Sequence, residues 1–388
     1  MKQKIITDLF NEFFESEKTA GLVLIFCTII SIIIANSALG DPYTAFWHQK
    51  LNLSFSGVQL NYSVQHWIND GLMTVFFLLV GLEIEREIYA GELSDIKNAS
   101  LPVIAAIGGM IVPALIYYVF NYNQQIRSGI GIPMATDIAF ALGVLSLIGK
   151  RIPVELKIFL TAFAIIDDLG AIIIIALFYS KGISIVFLLS ALGLFLILII
   201  MNRLKIHKLS FYLIIGVVMW YCILKSGIHA TIAGVLLAFA IPFTKHETNP
   251  SLKLQHILHK PVAYLILPLF AIANTGLVIN SDNISSITSA NSLGIIFGLV
   301  LGKPLGITLF SLAGIKLKLC NLPASIGIKH ISGAGMLGGI GFTMSIFIAN
   351  LAFSDNLMIQ HSILSILVAS FVSGVAGFIL LKLQKRTR

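Results

Sequence analysis

The sequence predicts an all-α membrane protein that crosses the bilayer about twelve times. Of its 388 residues, 57% are hydrophobic and only 11% are charged, whereas soluble proteins carry about 25% charged residues. Apolar segments of about 20 residues, each able as a helix to span the ~30 Å hydrocarbon core, recur along the chain. Because they leave no room for a soluble domain, we expect residues 1–388 to form a single membrane domain.

The predicted spans follow one another with short polar connections. In chain order, they are centred near residues 27, 75, 110, 140, 167, 192, 217, 236, 270, 302, 339 and 373.

The basic residues predict the orientation of these spans. With both termini in the cytoplasm, most Lys and Arg residues fall in cytoplasmic segments, and the external segments carry only Lys50, Arg127, Lys181 and Lys225. Basic residues concentrate on the cytoplasmic side of membrane proteins, so this asymmetry supports the assumed orientation. Both termini then lie on the same side, which requires an even number of spans. It also explains the formal net charge of +8 without a nucleic-acid-binding surface.

The longest predicted external loop, residues 45–65, has the pattern of a β-hairpin. Apolar residues alternate at 51, 53 and 55 and again at 58, 60 and 62, with Ser56-Gly57 between the two runs. An isolated two-stranded hairpin is marginally stable in water. We therefore expect this one to pair with a second subunit in a homodimer.

Two spans are poorly suited to continuous helices. Residues 129–143 contain Pro133, Thr136 and Asp137, and residues 333–345 contain five glycines. Backbone groups freed at membrane depth must be buried in protein or face a cavity. Each interrupted span lies between two regular ones, which predicts a repeated three-helix unit. The first unit begins inside, after Lys97, and the second outside, after Asp282, so the repeat is inverted.

Two adjacent carboxylates, Asp167 and Asp168, lie in the middle of an apolar span. One charge at the bilayer centre costs at least about 2.5–3.5 kcal/mol, so such residues are functional candidates by default. Consecutive helical residues point about 100° apart, which lets one acid face water and the other a neighbouring helix. Low dielectric favours the protonated carboxyl, and alkali ions prefer oxygen ligands. The pair is therefore either a site that exchanges protons for a small cation or a structural pair satisfied by its neighbours, and we expect the first.

Three further residues are predicted near this pair. Asp137 lies at the break of its span beside Thr136, whose hydroxyl is another oxygen donor, and it is either a helix cap or a charge that compensates a helix end. Lys303 is the one basic residue deep in a span, and pairing with a carboxylate explains it best. The alternative is that Lys303 extends to the membrane interface.

The second span carries acidic residues at its predicted cytoplasmic end. Glu83 and Glu87 are four residues apart and share a helix face at its cytoplasmic end, where they either guard a cation funnel or form a solvated helix end. His229 opens a short span near the outside, as a sensor or as a structural residue. Three cysteines (Cys27, Cys222 and Cys320) lie far apart without metal-ligand spacing, so we expect no cofactor.

Taken together, eight stretches closely resemble the NhaA family of bacterial Na⁺/H⁺ antiporters. In order, they are WIND at 67–70, FFLLVGLE at 76–83, PVIAAIGGMIVP at 102–113, ATDIAFALG at 135–143, AIIDDLGA at 164–171, KSGIHAT at 225–231, GKPLG at 302–306 and GIGFTMS at 339–345. Inverted repeats are a known feature of this family, so the repeat predicted above agrees with the resemblance.

The resemblance implies twelve helices, two of them crossed and broken near the midplane, in a bacterial inner membrane. It implies that Asp167 and Asp168 bind Na⁺ or Li⁺ and carry protons, that Lys303 pairs with Asp167, and that Asp137 beside Thr136 compensates the half-helix ends. It also implies electrogenic exchange of cytoplasmic Na⁺ for external H⁺, with activation at alkaline pH.

The resemblance links pH response to Glu83, Glu87 and His229. One departure lies at the start of the ninth helix, where the family's best-known member has a glutamate and this chain has Gln255. A lysine three residues earlier is replaced by Leu252. We therefore expect ion exchange to be retained, with an altered threshold and steepness of pH activation.

Three competing functions are weaker. An intramembrane aspartyl protease would have a Gly-x-Gly-Asp pattern, which neither Asp137 nor Asp167 follows. A sodium-coupled symporter of organic anions would need membrane arginines to hold the anion. A passive cation channel would carry sodium without requiring a proton gradient. We therefore expect a secondary transporter and not an enzyme.

Overall fold

A computed structural model describes residues 2–55, 58–122, 125–149, 152–180, 182–244, 249–323 and 325–384, and they are predominantly helical. The α-helices, in chain order, are α1 (Lys2–Ala35), α2 (Gly40–His48), α3 (Val64–His66), α4 (Met73–Ala90), α5 (Ile96–Phe120), α6 (Ile138–Ile148), α7 (Val154–Phe178), α8 (Ile185–Arg203), α9 (Leu209–Ser226), α10 (Ile232–Ala240), α11 (Pro250–Pro261), α12 (Leu267–Asn274), α13 (Ser281–Ser285), α14 (Ala290–Phe297), α15 (Lys303–Lys316), α16 (Ile328–Gly338), α17 (Phe342–Ala352) and α18 (Asn356–Lys382).

Three of the long spans contain a π-helical turn. Trp67–Leu72 joins α3 to α4, Val262–Ile266 joins α11 to α12, and Gly298–Gly302 joins α14 to α15. A π-helical turn widens the helix locally and often occurs at a functional site. The third of these turns ends immediately before Lys303. Short 3₁₀ helices also occur, at Glu92–Ser94, Gln125–Met134 and Ser286–Thr288.

The predicted polytopic fold is confirmed. Among the described residues, nine helices are long and apolar enough to cross a membrane, or up to 11 if each of two bent pairs counts as one span. The span near residue 236, which His229 precedes, is short as expected: α10 has only nine residues and is about 14 Å long. Pro242 follows it and disfavours helical geometry at the preceding residue.

The chain divides into two compact units. Unit 1 comprises residues 1–26, 90–174 and 279–388, and unit 2 comprises residues 27–89 and 175–278. Unit 1 contains both predicted three-helix groups, each with a broken span between two longer helices. In the first group these are α5, the segment 125–148 and α7; in the second they are α14–α15, α16–α17 and α18.

Two glycines bring the first helices of these groups into close contact. A Cβ atom added to Gly306 on α15 would overlap the carbonyl oxygen of Gly108 on α5, and one added to Gly108 would overlap that of Gly306. Small residues at such a crossing let two membrane helices approach closely and gain van der Waals contact. The α5–α15 pair thus forms the centre of unit 1.

Unit 2 has its own apolar core and carries the hairpin. Leu82 of α4, Met219 of α9 and Leu237 of α10 are buried in one cluster. Strands β1 (Lys50–Asn52) and β2 (Asn61–Ser63) pair antiparallel, and Phe55 and Val58 form a further bridge. All three residues of β1 are exposed, and the predicted turn residues Ser56 and Gly57 lie outside the described residues. Leu51, Leu53 and Phe55 expose their side chains.

Candidate functional site

The first break in unit 1 separates a 3₁₀ helix from an α-helix. The 3₁₀ segment Gln125–Met134 contains Pro133, and residues 135–137 are extended before α6 begins. Asp137 is the N-cap of α6, with φ −89° and ψ 102°, and its Oδ1 accepts a hydrogen bond from the Phe140 amide at 2.9 Å. An aspartate is a preferred N-cap because its carboxylate satisfies an amide that has no partner within the helix.

The second break separates α16 from α17, which are bent by 47°. The glycine at 339 is required by close packing, since a Cβ there would lie 2.5 Å from the Leu299 carbonyl oxygen and 2.7 Å from Ser373 Oγ. No side chain fits at such distances, so this glycine allows the backbone to turn against its neighbours. Both predicted interruptions are therefore present, at 135–137 and 339–341.

The two breaks bind each other through five hydrogen bonds. At the first break, the Thr136 hydroxyl donates to the Gly338 carbonyl at 2.8 Å and the Asp137 amide donates to the Ile340 carbonyl at 2.7 Å. From the second break, the Thr343 amide and hydroxyl donate to Asp137 Oδ2 at 3.0 and 2.5 Å, and the Ser345 hydroxyl donates to the Ile132 carbonyl at 2.7 Å. These bonds satisfy backbone groups that water cannot reach in a bilayer.

Asp137 connects the starts of α6 and α17, the two half-helices that follow the breaks. Its Oδ1 accepts from α6, and its Oδ2 accepts from Thr343 in the first turn of α17. Each helix N-terminus carries roughly half a positive charge, which a carboxylate neutralises favourably. The two roles considered for Asp137, helix cap and compensating charge, therefore occur together in this geometry.

Lys303 forms an ion pair with Asp167. Its Nζ lies 2.7 Å from Asp167 Oδ2, and it also donates to the Met134 carbonyl at the end of the 3₁₀ segment. The Lys303 side chain is 0% exposed. The alternative that Lys303 extends to an interface is therefore wrong. A buried ammonium group is tolerated when a carboxylate pairs with it and a carbonyl accepts from it.

Asp167 and Asp168 lie on α7 and are each 1% exposed. Thr136 lies against the Asp167 carboxyl, and Asp168 is close enough to Lys303 for its charge to act on the ammonium group. The structure thus brings together Thr136, Asp167, Asp168 and Lys303, with Asp137 adjacent in the chain. Across the described ranges, no group of three or more His, Cys, Asp or Glu residues could hold a metal ion.

The acidic end of α4 lies in unit 2. Glu83 and its neighbour Glu85 are buried and Glu87 is half-buried, so the alternative of a solvated helix end is wrong for Glu83. Glu85 Oε2 accepts a hydrogen bond from Ser251 Oγ of α11 at 2.6 Å. Glu87 accepts from Arg86 at 3.0 Å. On α11, Gln255 is buried and Leu252 is exposed.

His229 lies in the turn before α10. It is close enough to Asp70 for their charges to interact, and His66 Nδ1 lies 3.2 Å from Asp70 Oδ2. Asp70 occupies the π-helical turn Trp67–Leu72, and the Trp220 indole donates to its carbonyl at 2.9 Å. The histidine predicted as a sensor or a structural residue is thus near a half-buried acid.

Comparison with known proteins decides the family. A family model described as Na⁺/H⁺ antiporter 1 matches residues 11–381. Over 378 residues the chain is 56% identical to Na⁺/H⁺ antiporter NhaA 1 of Flavobacterium johnsoniae, covering 97% of each chain. The chain belongs to the NhaA family of Na⁺/H⁺ antiporters.

Two relatives from other bacteria are also NhaA antiporters. The chain is 55% identical over 382 residues to Na⁺/H⁺ antiporter NhaA of Dechloromonas aromatica, covering 97% of this chain and 96% of the relative. It is 49% identical over 373 residues to that of Citrobacter koseri, covering 95% and 96%. The resemblance to the NhaA family inferred from the eight stretches is confirmed.

Three hydroxyl residues of this NhaA-family chain were missed by sequence reasoning. Thr343 and Ser345 follow the second break and bind the first one, and Ser370 of α18 accepts the Phe342 amide at 3.1 Å. The first two had a detectable signal, because hydroxyl residues directly follow a glycine-rich interruption. Ser370 had none, since serines recur along α18 and nothing local distinguishes it.

Proposed function

We propose that the chain exchanges cytoplasmic Na⁺ or Li⁺ for external H⁺ by competition at Asp167 and Asp168. The observation that carries the proposal is the burial of two adjacent carboxylates beside one lysine, at the crossing of two broken spans. Carboxylate and hydroxyl oxygens are the ligands that hard cations prefer. Thr136 adds such an oxygen beside Asp167.

Charge balance in the buried group supports competition. Two ionised carboxylates and one ammonium group leave a single negative charge, and an uncompensated charge is strongly unfavourable in a low-dielectric interior. One alkali ion neutralises it, and so does one proton. Because both need the same oxygens, the site holds one or the other.

Electrogenic exchange requires a second proton, beyond the one that balances the site charge. Asp167 and Asp168 can each take a proton when the alkali ion leaves, whereas only one alkali ion neutralises the pair. Two protons entering for each Na⁺ leaving then move net positive charge inward. The hydrogen bonds between the breaks hold residues 132–137 and 338–345 together, so we propose that these breaks move as one body when the site changes sides.

The proposal includes the location and regulation of the exchanger. We place it in a bacterial inner membrane, with both termini cytoplasmic according to the distribution of Lys and Arg. Glu83, Glu87 and His229 are proposed to respond to pH. Gln255 cannot titrate, so it contributes no charge change to that response.

Competition is tested by proton release from the purified protein. We expect NaCl or LiCl added in weak buffer to release protons, measured with a pH indicator, whereas choline chloride at equal ionic strength releases none. Lowering the pH by one unit should weaken apparent Na⁺ affinity about tenfold for each competing proton. Sodium binding without proton release, or with an affinity independent of pH, would overturn the proposal.

We also propose a homodimer formed through the hairpin. Leu51, Leu53 and Phe55 alternate along β1 and its extension and expose apolar side chains, and an exposed strand edge can pair with another chain. Deletion of residues 50–63 should convert the dimer to a monomer, as measured by light scattering in detergent. Replacing these three residues by Thr keeps the strand backbone but removes the apolar side chains. This variant therefore tests whether the dimer depends on side-chain contacts or on pairing of the strand backbones. An unchanged mass in the deletion variant would contradict the dimer contact.

A further inference from the structure

Helix α18 supplies a hydroxyl group to the start of α17. Ser370 Oγ accepts a hydrogen bond from the Phe342 amide at 3.1 Å, and Ser370 is buried. Phe342 is the first residue of α17. The first amides of a helix have no carbonyl partner within it, so each needs an acceptor from elsewhere.

Two first-turn amides of α17 thus have side-chain acceptors from two other segments. The Phe342 amide bonds to Ser370, and the next amide, that of Thr343, bonds to Asp137 Oδ2. One acceptor is neutral and the other is charged. We propose that Ser370 is a positioning residue for cation exchange. It holds the first turn of α17 in the position where Asp137 accepts the Thr343 amide and compensates the positive end of the helix. This inference rests on the function proposed above.

The physical reason lies in how many bonds Asp137 already accepts. Its two oxygens take the Phe140 amide, the Thr343 amide and the Thr343 hydroxyl. Without the Ser370 hydroxyl, the Phe342 amide loses its acceptor in a buried place and competes for the same carboxylate. Weaker compensation of the two helix starts makes the potential near Asp167 and Asp168 more positive. A more positive potential disfavours Na⁺ and protons alike.

This mechanism predicts changes that simple loss of packing would not produce. In Ser370→Ala, the apparent KM for Na⁺ at alkaline pH should rise about threefold to tenfold, the factor expected for one lost buried hydrogen bond. The maximal rate should be nearly unchanged, because the carboxylates themselves remain. The pH profile of exchange should move toward acid, since protons bind the site less tightly.

The same helix offers a matched control. Ser365 is also fully buried on α18, but its hydroxyl donates to the His361 carbonyl of its own helix at 2.8 Å. Ser365→Ala removes the same atom without removing a hydrogen bond to α17. Ser370→Thr keeps the hydroxyl and should restore the original KM. Ser370→Cys nearly keeps the volume but accepts hydrogen bonds weakly, so it should behave like Ser370→Ala and serves if that variant fails to fold.

The experiment measures Na⁺-dependent dequenching of a pH dye in everted vesicles, with Na⁺ titrated at a fixed alkaline pH and the profile scanned across pH. Raised KM and an acid-shifted profile in Ser370→Ala or Ser370→Cys, with neither in Ser365→Ala, support the role. Unchanged values, or equal changes at 365 and 370, overturn it. Asp168→Asn in parallel separates the two ideas: if it retains exchange, the proposed function fails; if it loses exchange while Ser370 variants stay normal, only the positioning role fails.

Discussion

Replacement of Asp168 by Asn should reduce sodium exchange to the background of vesicles without the protein. Asn has nearly the same shape as Asp but carries no charge and cannot take up the proton. Asp167 alone, paired at 2.7 Å with Lys303, forms a neutral pair with no charge left for an alkali ion. The measurement is Na⁺-dependent dequenching of a pH dye in everted vesicles that hold a proton gradient.

The control is an aspartate outside the site. Asp355 is exposed and caps α18 by accepting the Leu357 amide at 3.1 Å. Asn is an equally good N-cap, so Asp355→Asn should retain full exchange. Asp167→Asn is less informative, because it leaves Lys303 buried without its carboxylate. Breaking a buried ion pair in this way lowers the free energy of unfolding by about 3–5 kcal/mol, so folding is also affected. Exchange retained in Asp168→Asn would refute the carboxylate mechanism.

Replacement of Asp137 by Ala should destabilise the protein severely. The change removes the acceptor of the Phe140 amide, the Thr343 amide and the Thr343 hydroxyl, all at a buried crossing. Each orphaned group costs about 1–3 kcal/mol, and both helix starts lose their compensating charge. We expect the free energy of unfolding to fall by roughly 3 kcal/mol or more. The measurement is the melting temperature in detergent, followed by size-exclusion chromatography, which should be much lower than that of the wild type.

Two comparisons make this result specific. Asp137→Asn keeps one carbonyl oxygen as an acceptor but not the charge, so its melting temperature should fall between the wild type and Asp137→Ala. Asp95 is an exposed N-cap that accepts one bond, from the Lys97 amide at 3.0 Å. Asp95→Ala should cost only about 1 kcal/mol. If Asp137→Ala melted no lower than Asp95→Ala, Asp137 would not hold the crossing together.

The sequence was informative wherever a residue conflicts with its own local surroundings. Asp167, Asp168 and Lys303 lie in apolar spans, and Pro133 and the glycines of 333–345 interrupt spans that otherwise suit helices. Both breaks occur within the predicted ranges, at 135–137 and 339–341. The short span after His229 was also expected, and Pro242 follows its helix α10.

The partners of these residues depended on distant parts of the chain. Lys303 pairs with Asp167 across 136 residues, and Thr343 reaches Asp137 across 206. Residues near in sequence did not indicate Ser370 or the Glu85–Ser251 bond, because α18 and α11 carry several polar residues of similar appearance. Which of these polar residues contacts another helix depends on the depth and the rotation of α18 and α11 in the packed structure.

The sequence by itself determined that this chain spans a membrane, that two spans are interrupted and that ionisable groups lie at their depth. Those properties follow from the cost of each group in hydrocarbon, which neighbouring residues reveal. The tertiary structure alone decided which oxygen faces which donor at the crossing of the breaks. A hydrogen bond between separate helices tolerates only a few tenths of an ångström of variation in its donor–acceptor distance of about 3 Å, and only the packed chain sets that distance.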